Sequence, residues 1–485
     1  GWVRDKNAIR PDFDENTMIN GDITVYSAWQ RFDFTLNGAG NVKAKIGTDG
    51  NMTISAVDPA GDKNIEREKW IDMVVATGGR NLNWGNSSFT GNIKIDNEVS
   101  LPEDSSKLFY GFKGNLIGTD KFNTSKVTNM GSMFEAAPSA NPDVSNWDTS
   151  NVTNMGRMFM GSVFLGATSA NPDVSKWETA NVTDMSYMFY RATSANPKVA
   201  NWNVSKVTNM KSMFSGATSA NPDVAKWTVS SVTDMSSMFN GATSANPNVS
   251  NWDTANVTKT DVMFGGAKSA SPDVSKWNMT KVTDLRHMFA GAILANPDVS
   301  NWDTSNVIDM SYMFEGSGIR DADLSKWDIG KVTESDRMFD KCDRLEYVKT
   351  PIGLKTRASG VNRNFKVVKL KSGSEATVEH ESVNLNSSFT VNSGGDKDTA
   401  YNIYCKDTHV GITFDKNGGD TSAFRNHEIA GKGKSIKDSK GGLPETEPKR
   451  IGCKFLGWAK SKTATVPGYD SGSSVYSDKT VYAVY

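Results

Sequence analysis

The chain has 485 residues, with 54 Lys and Arg against 55 Asp and Glu and a hydrophobic share of 37%. That length exceeds one ordinary core and predicts several domains or a repeat array, and the balanced charge without any basic stripe excludes an electrostatic nucleic-acid binder. Cys342, Cys405 and Cys453 are too few and too scattered for a zinc or disulfide framework, and no apolar run reaches the roughly 18 residues of a membrane span.

At the start, Gly1-Trp2 precedes Val25-Tyr26 by the same offset that separates Gly457-Trp458 from Val481-Tyr482 near the end. Residues 1–30 therefore read as the back half of a small β module whose second copy closes the chain. In residues 31–121, "GNMTISAV" predicts a strand pair. "NIEREKWIDMVV" predicts an amphipathic helix with Trp70, Ile71, Val74 and Val75 on its apolar side. A repeat array needs its open ends covered, so this segment is expected to be the N-terminal cap.

Residues 122–342 are periodic. Trp147, Trp177, Trp202, Trp227, Trp252, Trp277, Trp302 and Trp327 follow one another at one step of 30 residues and then six steps of 25. Phe122 heads a ninth unit. A Val follows each aromatic five residues on, and a Met-Phe pair ends at twelve, from Met133-Phe134 to Met338-Phe339. These nine units predict a repeat solenoid. Within a unit, Val144, Trp147 and Thr149 have the inward spacing of a short leucine-rich-repeat strand, which turns Asn146 and Asp148 to the other face. Val152, Met155, Met158 and Phe159 are spaced i, i+3, i+6, i+7, as on one side of a short helical turn.

The tryptophans share phase with Val and Thr, so they are expected to stack as a buried structural ladder about 4.8 Å per rung. Each large side chain buried contributes roughly 1.5–3 kcal/mol. An exposed aromatic ladder for sugar stacking is the rival reading. The residue before each Trp alternates strictly, Asn146, Lys176, Asn201, Lys226, Asn251, Lys276, Asn301, Lys326. Like charges directly opposite each other destabilise neighbouring rungs, and alternation doubles the Lys–Lys spacing to roughly 10 Å, about one Debye length. Asp148 and Glu178 begin a partly acidic column beside it. The candidate binding face is therefore Asn146, Asp148, Lys176, Glu178, Lys226, Lys276 and Lys326, weighed against a merely solvated face. The 30-residue step holds five extra residues, Gly161–Leu165. Val163, Phe164 and Leu165 there either pack on the neighbouring turn or offer a partner an apolar contact.

Residues 343–408 carry "FKVVKL" and "ATVEHESVNL" and are expected to form a β-rich C-terminal cap; residues 409–485 form the last module. His287, His380, His409 and His427 stand in four unrelated contexts, and no HExxH, GxSxG, P-loop or Rossmann pattern is present. "DKNGGD" at Asp415 is not a calcium loop, because Asn426 stands where the bidentate Glu belongs. The expectation is a non-enzymatic chain with no cofactor and no metal.

"WDTSNVTNMGRMF", from Trp147, resembles the unit of BspA-like leucine-rich repeats of the 25-residue type, over residues 122–342. "FLGWAKSKTATVPGYDSGSSVYSDKTVYAVY" (Phe455–Tyr485) and "ITFDKNGGD" (Ile412–Asp420) resemble the two halves of a Listeria–Bacteroides repeat, a β-grasp-like spacer. The first resemblance implies a monomeric adhesin on a bacterial cell surface, anchored through segments outside this sequence. Its implied partner is a host surface, matrix or serum protein, with Cys342 a buried structural thiol. A carbohydrate-binding module of a surface enzyme and a purely structural stalk are the alternatives.

Overall fold

A computed structural model describes residues 33–139, 141–161, 171–361, 363–371, 376–384, 389–393, 397–405, 407–417, 427–435 and 454–485, with the backbone of Trp2–Val3 and Tyr26–Ser27. The chain folds as two compact units, Gly1–Asn203 and Val204–Tyr485.

In the first unit, Asp33–Thr35, Val42–Ile46, Met52–Ala56, Ile93–Ile95 and Leu116–Ile117 form one sheet in that order. Its first three strands are antiparallel neighbours and the last two join in parallel. "GNMTISAV" thus supplies one strand rather than a pair; its partner is Val42–Ile46. Backbones approach closely at one edge. A Cβ on Gly91 would lie 1.9 Å from the Gly50 carbonyl oxygen, and one on Gly114 2.1 Å from that of Gly91. The one α-helix among the described residues, Arg67–Ala76, buries Trp70, Met73 and Val74, an i, i+3, i+4 face. Val75, expected inside, is 50% exposed. The Trp70 and Trp84 indoles both donate to the Leu108 carbonyl, at 3.0 and 2.7 Å. Phe109 and Phe112 pack edge-on against these two rings.

The repeats overturn the expected solenoid of leucine-rich-repeat strands and helical turns. Between residues 124 and 320 the described residues form no strand and no helix, only turns and isolated bridges. The physical reason is a left-handed residue inside every supposed helical turn: Ser132, Arg157 and Tyr187 in the first unit, Ser212, Ser237, Val262, His287, Tyr312 and Arg337 in the second, all at φ 52–60°. A helix cannot pass such a residue. Amides alternate instead. Met130, Ser132, Phe134 and Ala136 donate to the next repeat's Asn154, Gly156, Met158 and Met160 carbonyls at 2.8–2.9 Å. The amides between them, those of Met133, Glu135 and Ala137, donate back across turns to Met130, Ser132 and Phe134. The second unit repeats the scheme from Met210, Ser212, Phe214 and Gly216 to Asp234, Ser236, Met238 and Asn240. Backbone polar groups are thereby satisfied without a regular element.

Side-chain phase is as the sequence spacing implies, although turns carry it. Val144, Trp147, Thr149, Val152, Met155, Met158 and Phe159 are buried, while Asn146 and Asp148 are exposed. The Phe rings stack 5.4–5.7 Å apart from Phe109 through Phe134 and Phe159 to Phe189. From Phe239 through Phe264, Phe289 and Phe314 to Phe339 the spacing is 5.6–5.8 Å.

Beyond the repeats, Asp321–Asp323, Tyr347–Lys349, Thr399–Cys405, Asn364–Lys371 and Thr377–Asn384 make a five-stranded sheet in that order. A four-stranded sheet follows, ordered His427–Gly431, His409–Asp415, Lys479–Val484, Gly457–Ala459, with Ile412, Phe414, Trp458, Tyr469 and Val481 in its core. Ion pairs join the two sheets: Lys349 with Glu428, and Lys366 with Asp478 at 2.5 Å. Trp458 pairs with Ala483 and Ala459 with Tyr482. Trp2 pairs with Ser27 and Val3 with Tyr26, the same register.

Candidate functional site

Each tryptophan of the repeats is only 2–4% exposed. Their rings stack nearly parallel, Trp177 on Trp202 at 6.3 Å, Trp252 on Trp277 at 6.2 Å and Trp302 on Trp327 at 6.4 Å. Ring to ring, this is wider than the 4.8 Å expected per rung. Indole N–H groups also find carbonyls one repeat back. Trp177 and Trp202 donate to Val144 and Val174, and Trp277, Trp302 and Trp327 to Val249, Val274 and Val299, at 2.9–3.1 Å. The ladder leaves no ring face for a sugar.

Outward from it run the polar columns. Asn146, Lys176 and Glu178 of the first unit are exposed, as are Lys226, Lys276 and Lys326 of the second. Lys176 Nζ donates to Asn146 Oδ1 at 3.5 Å, so alternation gives the ammonium an amide acceptor where a uniform column would give it another cation. Asp148, exposed as expected of its column, also fixes a turn. Its carboxylate accepts from the Ser150 N–H at 3.0 Å and the Ser150 hydroxyl at 2.6 Å. These bonds, the hydroxyl first, hold the Asp148 carboxyl below its ordinary 3.8. Asp143, Asp173, Asp273 and Asp303 bind a serine two residues on in the same way, with the same downward shift. Asp148 and Asp303 of the acidic column thus fix turns, as do Asp143, Asp173 and Asp273 four residues before the Trp position. Val163, Phe164 and Leu165 lie outside the described residues.

Two further columns escaped the sequence reading. Four residues after the Trp position, Lys281 donates to Asn256 at 2.6 Å and Lys331 to Asn306 at 2.5 Å. The amides of Asn256 and Asn306 in turn donate to the Ser230 and Thr280 carbonyls. The signal was available as a second Asn/Lys alternation, Asn256, Lys281, Asn306, Lys331. At the left-handed position ten residues after Trp, Arg157 lies over the Tyr187 ring at 5.1 Å in the first unit. In the second, His287 stacks on Tyr312 at 4.7 Å and Arg337 covers the same ring at 5.6 Å. Nothing in a Ser, Arg, Tyr, Val or His marks a left-handed residue, and the position passed for one face of a helix.

Residues 411–484 match the Listeria-Bacteroides repeat domain. No curated protein and no solved structure matches the chain. The repeats match at 89–163, 160–277 and 263–357, together more than half of the chain, and this supports the repeat surface-protein family of the sequence resemblance without supporting its specific leucine-rich-repeat type. Two repeat families in one chain indicate a surface or structural role. The chain belongs to the family described as Mycoplasma protein of unknown function, DUF285.

Proposed function

We propose that this is a non-enzymatic protein of the bacterial cell surface whose repeats bind a host surface, matrix or serum protein through their exposed Asn and Lys columns. The observation that carries the reading is the recurrence of one exposed Lys at the same place beside a buried Trp, Lys226, Lys276 and Lys326 in the second unit and Lys176 in the first. Regularly repeated rim charges speed encounter with an oppositely charged partner and set its salt dependence, while adding little to stability. The Listeria-Bacteroides repeat suits a spacer that holds such a face away from the cell. A tryptophan sugar platform is disfavoured, since the rings are buried.

Pull-down from serum and from extracellular-matrix extract, with the natural chain and with Lys176, Lys226, Lys276 and Lys326 all replaced by Asn, tests the reading. A protein retained by the first bait and depleted on the second is expected. Equal recovery on both baits rejects the Lys face, and recovery on neither supports a structural stalk instead.

A further inference from the structure

In the second unit three side chains that are distant in sequence converge. Asp321 opens the strand Asp321–Asp323, Glu346 immediately precedes Tyr347–Lys349, and His409 opens His409–Asp415. One carboxylate oxygen from each acid and one imidazole nitrogen all lie within 4.8 Å of one another, and all three residues are half-buried.

The backbone holds the set in place. Asp321 is paired with Tyr347 across the parallel ladder. The Glu346 N–H donates to the Arg320 carbonyl at 2.7 Å, and its own carbonyl accepts from Cys405 at 2.8 Å. The His409 ring meets Tyr347 edge-on at 5.3 Å, and its Nδ1 lies 2.8 Å from Thr408 Oγ1. With Nδ1 engaged, Nε2 is the nitrogen left to ligate. A ligating histidine held through its other nitrogen is the usual arrangement in metal sites.

We propose that Asp321, Glu346 and His409 bind one divalent cation of the zinc type, with a fourth position open, and so tie the last repeat to the strands that follow it. One nitrogen and two carboxylate donors suit zinc, with ligand bonds of about 2.0–2.2 Å; calcium and magnesium prefer oxygen throughout. Arg320 is the competitor, its Nη2 2.6 Å from Glu346 Oε1. Its side chain is 54% exposed, so solvent screens the pair and leaves it weaker than coordination by three ligands. The site is independent of the proposed partner face.

Calorimetric titration of chelator-treated protein with zinc chloride tests this. One saturable equivalent is expected, weakened at least tenfold in Glu346→Gln and in His409→Ala and strengthened in Arg320→Gln. No saturable binding, or undiminished affinity in both ligand variants, overturns the site. Should the variants fail to fold, the natural chain still answers. Zinc, and not calcium, is expected to protect His409 from diethyl pyrocarbonate, read by peptide mass. Equal modification with and without zinc overturns the proposal.

Discussion

Trp302 is 2% exposed, stacks on Trp327 and donates to Val274. Trp302→Ala removes a large buried ring and leaves a carbonyl without its donor. The expected loss is about 3–5 kcal/mol, read from urea unfolding. Little change there would contradict a load carried by stacked indoles. Val262 supplies the opposite test. It is β-branched yet sits at φ 57°, a region that costs such residues roughly 1–2 kcal/mol. Asn tolerates that conformation, so Val262→Asn is expected to stabilise the chain by up to about 1 kcal/mol in the same assay. A loss would mean that packing of the Val methyls outweighs the backbone strain.

Between residue and fold lie the elements, where turns imitated a helix. Successive three-residue turns bring Val152, Met155 and Met158 to one side at the same i, i+3 spacing as a helix. Burial phase was therefore legible, and the Trp, Val, Met and Phe positions lie inside as the spacing requires, except that Val332 in the last repeat is half-buried. The type of element was not, because only the left-handed residue distinguishes the two and no glycine announces it. The convergence of His409 on Asp321 and Glu346 was illegible for another reason, since it depends on strand order rather than on local spacing. The sheets beyond the repeats have a pH signature of their own. Burial, more than its charged neighbours, pushes the His427 pKa down from 6.5 to about 4, and Asn402 Nδ2 lies 3.0 Å from its Nδ1. An unfolded chain takes up this proton near 6.5 and the folded one only near 4, so stability falls as pH drops through that window. The loss is on the order of 3 kcal/mol at its foot. Thermal unfolding of His427→Gln should be flatter than the natural chain's between those pH values. Parallel curves would show that other groups carry the acid sensitivity.

For the whole molecule, the account is one of division of labour. Buried Trp and Phe stacks carry stability, Asp–Ser pairs fix the turns, and the exposed Lys residues are the ones the proposed function assigns to a partner. Replacing Lys176, Lys226, Lys276 and Lys326 by Asn should then leave unfolding almost unchanged, because exposed charges contribute about 0–1 kcal/mol each. The direct measurement is the association rate of the captured serum or matrix protein with the natural and four-Lys-substituted chains, from low to high salt. Slower association at low salt, with a flattened salt dependence and unaltered unfolding, is the predicted result. An unaltered on-rate at low salt would contradict the account and move the contact away from the Lys columns.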